Sequence, residues 1–413
     1  MSVASNSTTY AAFANVEFRF FLAMRMCITL AIQMQAVVVA WQVFELSHKD
    51  PLALGLIGLA EAIPYLSMAL FAGYWVDVMS RRLILIRGLS VLFATALLLW
   101  LFSLPALSNW VANPLYIIFT LIFLTGLARS FIAPAHFAIL TQIVKPEELP
   151  SAIAWNSTNW QVAAVCGPAL GGLLYGWVGL SATYFIQFIL IGLAFFFCLL
   201  IRPKPVPPAE PHESMFAKIQ EGLQFVFGNT LILASISLDL FAVLFGGAVA
   251  LLPAFADTIL HVGAQGLGFL RAAPAMGAVA MAIVLAYYPV KKQAGVVLLA
   301  CVAGFGLCII GFGLSTSFWL SMAMLFLSGV FDSVSVVIRS VILQHHTPEN
   351  MKGRVSAVNN IFIGSSNEIG AFESGVAAKL LGLVPSVVFG GCMTLLVVGI
   401  THWKATALRK LNL

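Results

Sequence analysis

Gly58-Leu-Ala-Glu61-Ala-Ile-Pro64 returns half a chain later as Gly268-Phe-Leu-Arg271-Ala-Ala-Pro274. Each copy places a glycine, then a charge, then a proline at three-residue steps inside a long apolar run. Two further pairs flank them. Phe123-Leu-Thr-Gly126-Leu-Ala-Arg129-Ser130 matches Phe326-Leu-Ser-Gly329-Val-Phe-Asp332-Ser333, and Pro146-Glu147-Glu148-Leu149 matches Pro348-Glu349-Asn350-Met351. The chain therefore reads as two copies of one unit.

What each unit is made of follows from composition. Of 413 residues, 61% are apolar and 9% charged, with a mean hydropathy of +1.00. A membrane-spanning helix needs roughly 20 apolar residues. Twelve such stretches are expected, at 19–45, 52–78, 84–104, 112–140, 151–177, 181–201, 229–256, 264–288, 294–314, 318–343, 354–380 and 384–403. They lack the period-two alternation of a membrane β-barrel, and helices satisfy every backbone group internally. The predicted fold is an all-α membrane protein of two pseudo-symmetric six-helix halves.

The halves are expected at 1–201 and 229–413. Between them, Arg202–Glu213 carries Pro203, Pro205, Pro207, Pro208 and Pro211, a semi-rigid linker. After it, Phe216, Ile219, Leu223 and Val226 recur at steps of three and four, which predicts a short amphipathic helix at the membrane surface. The first ten residues are uncharged and the first apolar run is too long for a cleaved signal. The six cysteines lie in apolar stretches and read as small core residues.

The net charge of +5 is not a nucleic-acid signal. With the N-terminus in the cytoplasm, cytoplasmic segments hold Arg81, Arg82, Arg87, Lys145, Arg202, Lys204, Lys218, Lys291, Lys292, Lys352, Arg354, Lys404, Arg409 and Lys410. The opposite side holds Lys49 and Lys379. That asymmetry predicts both termini inside. Parallel repeats joined on the cytoplasmic side describe an alternating-access carrier with its substrate site near the midplane. An enzyme would need clustered ligands or a nucleophile with a base, a primary pump a phosphate-binding loop; neither pattern is found, and no metal or cofactor is expected.

Charges inside apolar helices are expensive and mark pathways. Aligning the repeats sets Arg25 against Asp239, Glu61 against Arg271 and Arg129 against Asp332, opposite signs each time; cross-half neutralisation and local pairing are both open. Asp332 and Arg339, two turns apart, share one face. Arg25, Arg129, Asp239, Asp332 and Arg339 are the candidate substrate and ion pathway, a static salt-bridge network being the alternative. Asp332, Glu368, Asp239 and Glu373 are the candidate proton-coupling acids. Glu61 and Arg271 are interface charges; Glu368 and Glu373, about 140° apart around their helix, cannot share a partner. His136 reads as a satisfied core histidine, with a proton relay as the alternative. Trp41, Trp100, Trp155 and Trp160 are candidate cavity residues; Trp110, Trp177, Trp319 and Trp403 read as interface-belt residues.

Gly73-Tyr-Trp-Val-Asp77-Val-Met-Ser80-Arg81-Arg82 resembles the loop signature G-x-x-x-D-x-x-G-R-R of the major facilitator superfamily, with Ser80 in place of the second glycine. The resemblance implies a conformational latch of Gly73, Asp77, Arg81 and Arg82, in which the acid caps a helix N-terminus and pairs with the basic residues. Ala163-Ala-Val-Cys-Gly167-Pro168-Ala-Leu-Gly171-Gly172 resembles the superfamily's antiporter signature, which accompanies export; a generic small-residue packing face is the alternative. Ser328–Asp332, Arg339, Gln344, Thr347–Glu349, Lys352–Val355 and Asn367-Glu368 are similar to the enterobactin-exporter-like branch. The resemblance implies a proton-coupled, monomeric exporter of a small amphiphile such as a siderophore, in a bacterial inner membrane. Broad drug efflux or carriage of a lipid-like substrate is the rival within the class, and a non-transporting receptor or scaffold the rival outside it.

Overall fold

A computed structural model of the protein describes residues 11–108, 113–205, 215–288, 290, 292–348, 351–409 and 411. Much of the expected linker, 206–214, lies outside them, as do Trp110, Lys291 and Lys410. The described residues are helical, without strands. The long helices are α1 (Val16–Leu46), α2 (Pro51–Val78), α3 (Arg81–Ser103), α4 (Pro114–Ile143), α5 (Leu149–Leu200), α6 (Met215–Gly228), α7 (Thr230–Phe245), α8 (Gly263–Tyr287), α9 (Ala294–Leu314), α10 (Phe318–His346), α11 (Lys352–Leu381) and α12 (Leu383–Lys404).

Among the described residues, ten stretches are long and apolar enough to cross a membrane. One of them, Pro146–Leu200, is 55 residues long, more than twice the length a span needs. Gly179 (φ 82°, ψ 176°) breaks it into two limbs, the expected fifth and sixth spans. Helix α11 has the length to span but misses the ten because Lys352, Arg354, Asn359, Asn360, Asn367, Glu368 and Glu373 dilute its hydropathy. It is the polar helix of the set. The expected seventh span is not one helix: α7 stops at Gly246-Gly247, a 3-10 turn follows at Ala248–Leu251, and a π turn at Phe255–Ile259. Paired glycines and Pro253 are the local cause.

The described residues cluster into two compact units, 1–38 with 63–211 and 39–62 with 212–413. In the first, α3 packs against α4 and α5. A Cβ at Gly88 would lie 2.6 Å from Ile132 Cγ1, so glycine is what lets α3 approach α4. Phe18, Phe21, Met24, Leu85, Leu89 and Ile139 are fully buried there. Between apolar helices in lipid the attraction is close packing rather than water exclusion.

In the second unit, α9 packs on α10 and α12, and α8 on α10. Asn229 caps α7, accepting from the N–H groups of Leu231 and Ile232 at 3.1 Å each. The amphipathic α6 rests on protein rather than on the membrane surface alone. Val226 is buried against Met351, Val355 and Val358 of the α11 entrance, and Glu221 pairs with Arg354 at the rim. Cys166 and Cys392 are exposed, unlike the four other cysteines, so the core reading does not hold for them.

Candidate functional site

Three groups of polar side chains stand inside the spanning helices. In the second unit, Asp239 of α7 forms an ion pair with Arg339 of α10, both buried. Arg339 Nε also donates to Ser335 Oγ at 3.3 Å, one turn back on its own helix. Asp332, two turns before Arg339, lies within electrostatic reach of both partners. One guanidinium thus has one carboxylate in contact and a second within electrostatic reach. A chain of small or polar residues at Ser328, Asp332, Ser335 and Arg339 gives α10 this face. Arg25 and Asp239, set against each other by the repeat alignment, each meet a partner within their own unit, His136 and Arg339.

The second group has the same stoichiometry. Arg271 of α8 lies within electrostatic reach of Glu61 of α2 and Glu368 of α11. All three belong to the second unit, so one of the sign-inverted repeat pairs is brought together. Helices α2 and α11 meet through glycine: a Cβ on Gly375 would sit 2.6 Å from the Gly55 Cα. Beyond that contact, Asp50 bonds Lys379 at 2.7 Å and Lys49 bonds Asp257 at 2.6 Å. Asp50 also caps α2, accepting from the Leu52 N–H at 3.0 Å, with Pro51 at the first helical position. Lys379 and the Leu52 amide hold the Asp50 carboxyl below the ordinary carboxylate range. Glu373 is half-buried, further along α11.

The third group is in the first unit. The Arg25 guanidinium of α1 meets His136 Nδ1 of α4 at 3.4 Å. Since arginine only donates, Nδ1 accepts and the proton of the neutral ring sits on Nε2. Arg25 Nε and His136 Nε2 are buried with no hydrogen-bond partner among the described residues. His136 is therefore not a satisfied core histidine. Arg129 stands two turns before it on α4. Asn159 donates to the Leu22 carbonyl at 3.0 Å, and Gln187 to Gln35 at 2.6 Å, tying α5 to α1.

The latch residues also lie in the first unit. Arg81 donates to the Ala138 carbonyl and Arg82 to that of Leu199, each at 2.9 Å, so both bond carbonyls toward the C-terminal ends of α4 and α5. The Asp77 side chain lies outside the described residues. Gly73 has open space where a Cβ would go. In the antiporter-like segment, a Cβ at Gly167 would strike Gln33 Cβ at 2.5 Å and one at Gly171 would meet Met34 at 3.0 Å. Gly167, Pro168, Gly171 and Gly172 are buried, and the small residues let α5 lie on α1.

Composition flagged the charges; it gave no sign of His136, Ser335, Asp257 or Lys379 as partners. Lys379 stood out in the charge count, but its acid is remote in sequence.

The chain matches the family profile of the Major Facilitator Superfamily over residues 21–371. It is 28% identical over 301 residues to the enterobactin exporter EntS of Escherichia coli (strain K12), covering 69% of this chain and 71% of that protein. Against the enterobactin exporter EntS of Shigella flexneri the identity is 29% over 287 residues, covering 68% and 67%. Among solved structures, the POT family transporter PepTSo superposes with a TM-score of 0.74 at 12% identity, covering 95% of this chain and 98% of that one. A bacterial homolog of the human lysosomal transporter Spinster gives 0.70 at 15%, covering 95% and 96%.

Proposed function

Because the chain belongs to the major facilitator superfamily, and is thus a multi-pass membrane transporter of small molecules and not an enzyme, we propose that it is a proton-driven exporter working by alternating access. It acts as a monomer in a bacterial inner membrane, with both termini in the cytoplasm. The observation that carries proton coupling is the Asp239–Arg339–Asp332 group. One guanidinium balances one carboxylate. A proton on the second acid is the mobile charge that lets the group stay buried, and its gain and loss can be tied to rocking of the repeats. The Arg271 group, with Glu61 and Glu368, has the same surplus of acid. Export and a siderophore-like substrate rest on the likeness to proteins named as enterobactin exporters.

The test is transport in inverted vesicles with an imposed pH gradient, over enterobactin, other siderophores and cationic dyes. Accumulation of siderophore is the expected result; accumulation of dyes as well would favour broad efflux. Asp332→Asn should abolish gradient-driven accumulation and spare exchange at equal pH. If Asp239→Asn, Asp332→Asn, Glu368→Gln and Glu373→Gln all pump with unaltered pH dependence, proton antiport through these acids is wrong.

A further inference from the structure

Arg25 is a cation inside a spanning helix with no carboxylate in ion-pair contact among the described residues. Among the described residues its polar partner is the neutral His136 ring, at the long distance of 3.4 Å. A charged donor facing a neutral nitrogen is weaker than one facing an anion. Within the pair itself, the unmatched groups are of one kind. Arg25 Nε and His136 Nε2 are both N–H donors, both buried, both without an acceptor. His136 itself is 4% exposed, whereas Arg25 keeps partial access. Buried donors left unmatched are costly, so they persist where something else matches them.

The surroundings define what that is. The ring of Phe21, one turn before Arg25, stands perpendicular to that of His136, with centroids 6.0 Å apart and planes at 90°. Phe18 stacks on Phe21, Phe13 meets Phe18, and Trp155 meets Phe13 at 4.9 Å. Phe18 and Phe21 are fully buried, so these rings are the apolar packing behind Arg25 and His136; near Trp155, Asn156 Oδ1 is a buried acceptor with no hydrogen-bond partner among the described residues.

From these observations we infer that Arg25 and His136 form a binding site for the carboxylate of an amphiphilic small molecule. His136 Nδ1 holds the acceptor's place on the guanidinium, and a carboxylate entering from the accessible side of Arg25 displaces it. The oxygens then accept charge-assisted bonds from Arg25, and the imidazole is released to offer its Nε2–H. No covalent step is involved. This names the substrate class for the carrier proposed above, and rests on that reading for its role in transport though not for binding.

Two probes of one shape separate charge from fit: 1-naphthylacetate and its neutral amide, 1-naphthylacetamide. Their affinities for the full-length protein in detergent micelles are measured by titration calorimetry near neutral pH. The acid should bind at least about tenfold more tightly than the amide. Arg25→Gln should erase that preference. His136→Asp should erase it too, by seating a permanent carboxylate on Arg25, and it removes no charge partner, so it carries the test if Arg25→Gln does not fold. Equal affinity of acid and amide for the unaltered protein overturns the site, as does a preference that survives in His136→Asp. A preference that behaves as expected in a protein that fails to pump would strike the export reading and leave the site standing. Pumping with no preference would do the reverse.

Discussion

Asp50 has two roles at the head of α2: it caps the helix through the Leu52 amide and pairs with Lys379 of α11. The two can be separated. Asp50→Asn keeps an acceptor at the cap and loses the ion pair, which for such exposed partners is worth about 0.2–1 kcal/mol. Asp50→Ala loses the cap as well, a further ~1 kcal/mol. Thermal unfolding of the purified protein in detergent should rank the three in that order; equal melting of the two variants would remove the capping role. The pH dependence follows from the lowered carboxyl. A group lowered in the folded state contributes fully above its unfolded value of about 3.9 and loses that contribution as pH falls through the lowered one. The unaltered protein and Asp50→Asn should therefore differ by a constant amount between about pH 5 and 9, and converge only in stronger acid. At this scale the charges were legible in sequence because an ionised residue in an apolar run stands out. Their partners were not: nothing local ties Asp50 to Lys379 or Asp239 to Arg339.

Helices α5 and α11–α12 turn at the same kind of residue. Gly179 has φ 82° and ψ 176°, and Gly382 has φ 94° and ψ 162°. That region of backbone space is open to glycine and closed to residues with a Cβ. The two glycines separate the fifth from the sixth span and the eleventh from the twelfth, so the repeat extends to a backbone conformation that the paired motifs did not include. Gly179→Ala and Gly382→Ala should each cost about 1–3 kcal/mol, seen as a lower unfolding temperature. Gly73→Ala should cost far less, since Gly73 is helical with open space at its Cβ. Equal losses at all three would mean that backbone conformation is not what selects glycine at the turns. Span positions were readable from hydropathy. The break in α7 at Gly246-Gly247 was not, because the apolar run continues through it to Pro253. Nor was the seat of α6, whose apolar stripe has the same spacing whether it faces lipid or α11.

For the whole molecule, the cycle of a carrier requires that some contacts be made in one state and lost in another. The Asp77 latch is expected to be one of them. Asp77→Asn should slow transport severely and leave insertion intact, because a neutral amide is a weaker partner for arginine and for a helix N-terminus. Uptake into inverted vesicles at equal membrane abundance measures this, and unaltered turnover would end the latch assignment. By itself the sequence determined that the chain lives in a bilayer, that it is helical, that it is a duplicated unit, and which side chains are out of place in lipid. Those properties are local or additive: hydropathy sums along a span, and a repeat is visible in one dimension. The tertiary structure decided which charges meet. Asp239 takes Arg339, Arg271 collects Glu61 and Glu368, and Arg25 meets a histidine. Residues 39–62 cluster with the second unit, away from the half they belong to in sequence. Hydrogen bonds and ion pairs act over a few ångströms between groups far apart along the chain, and only the packing of helices sets those distances.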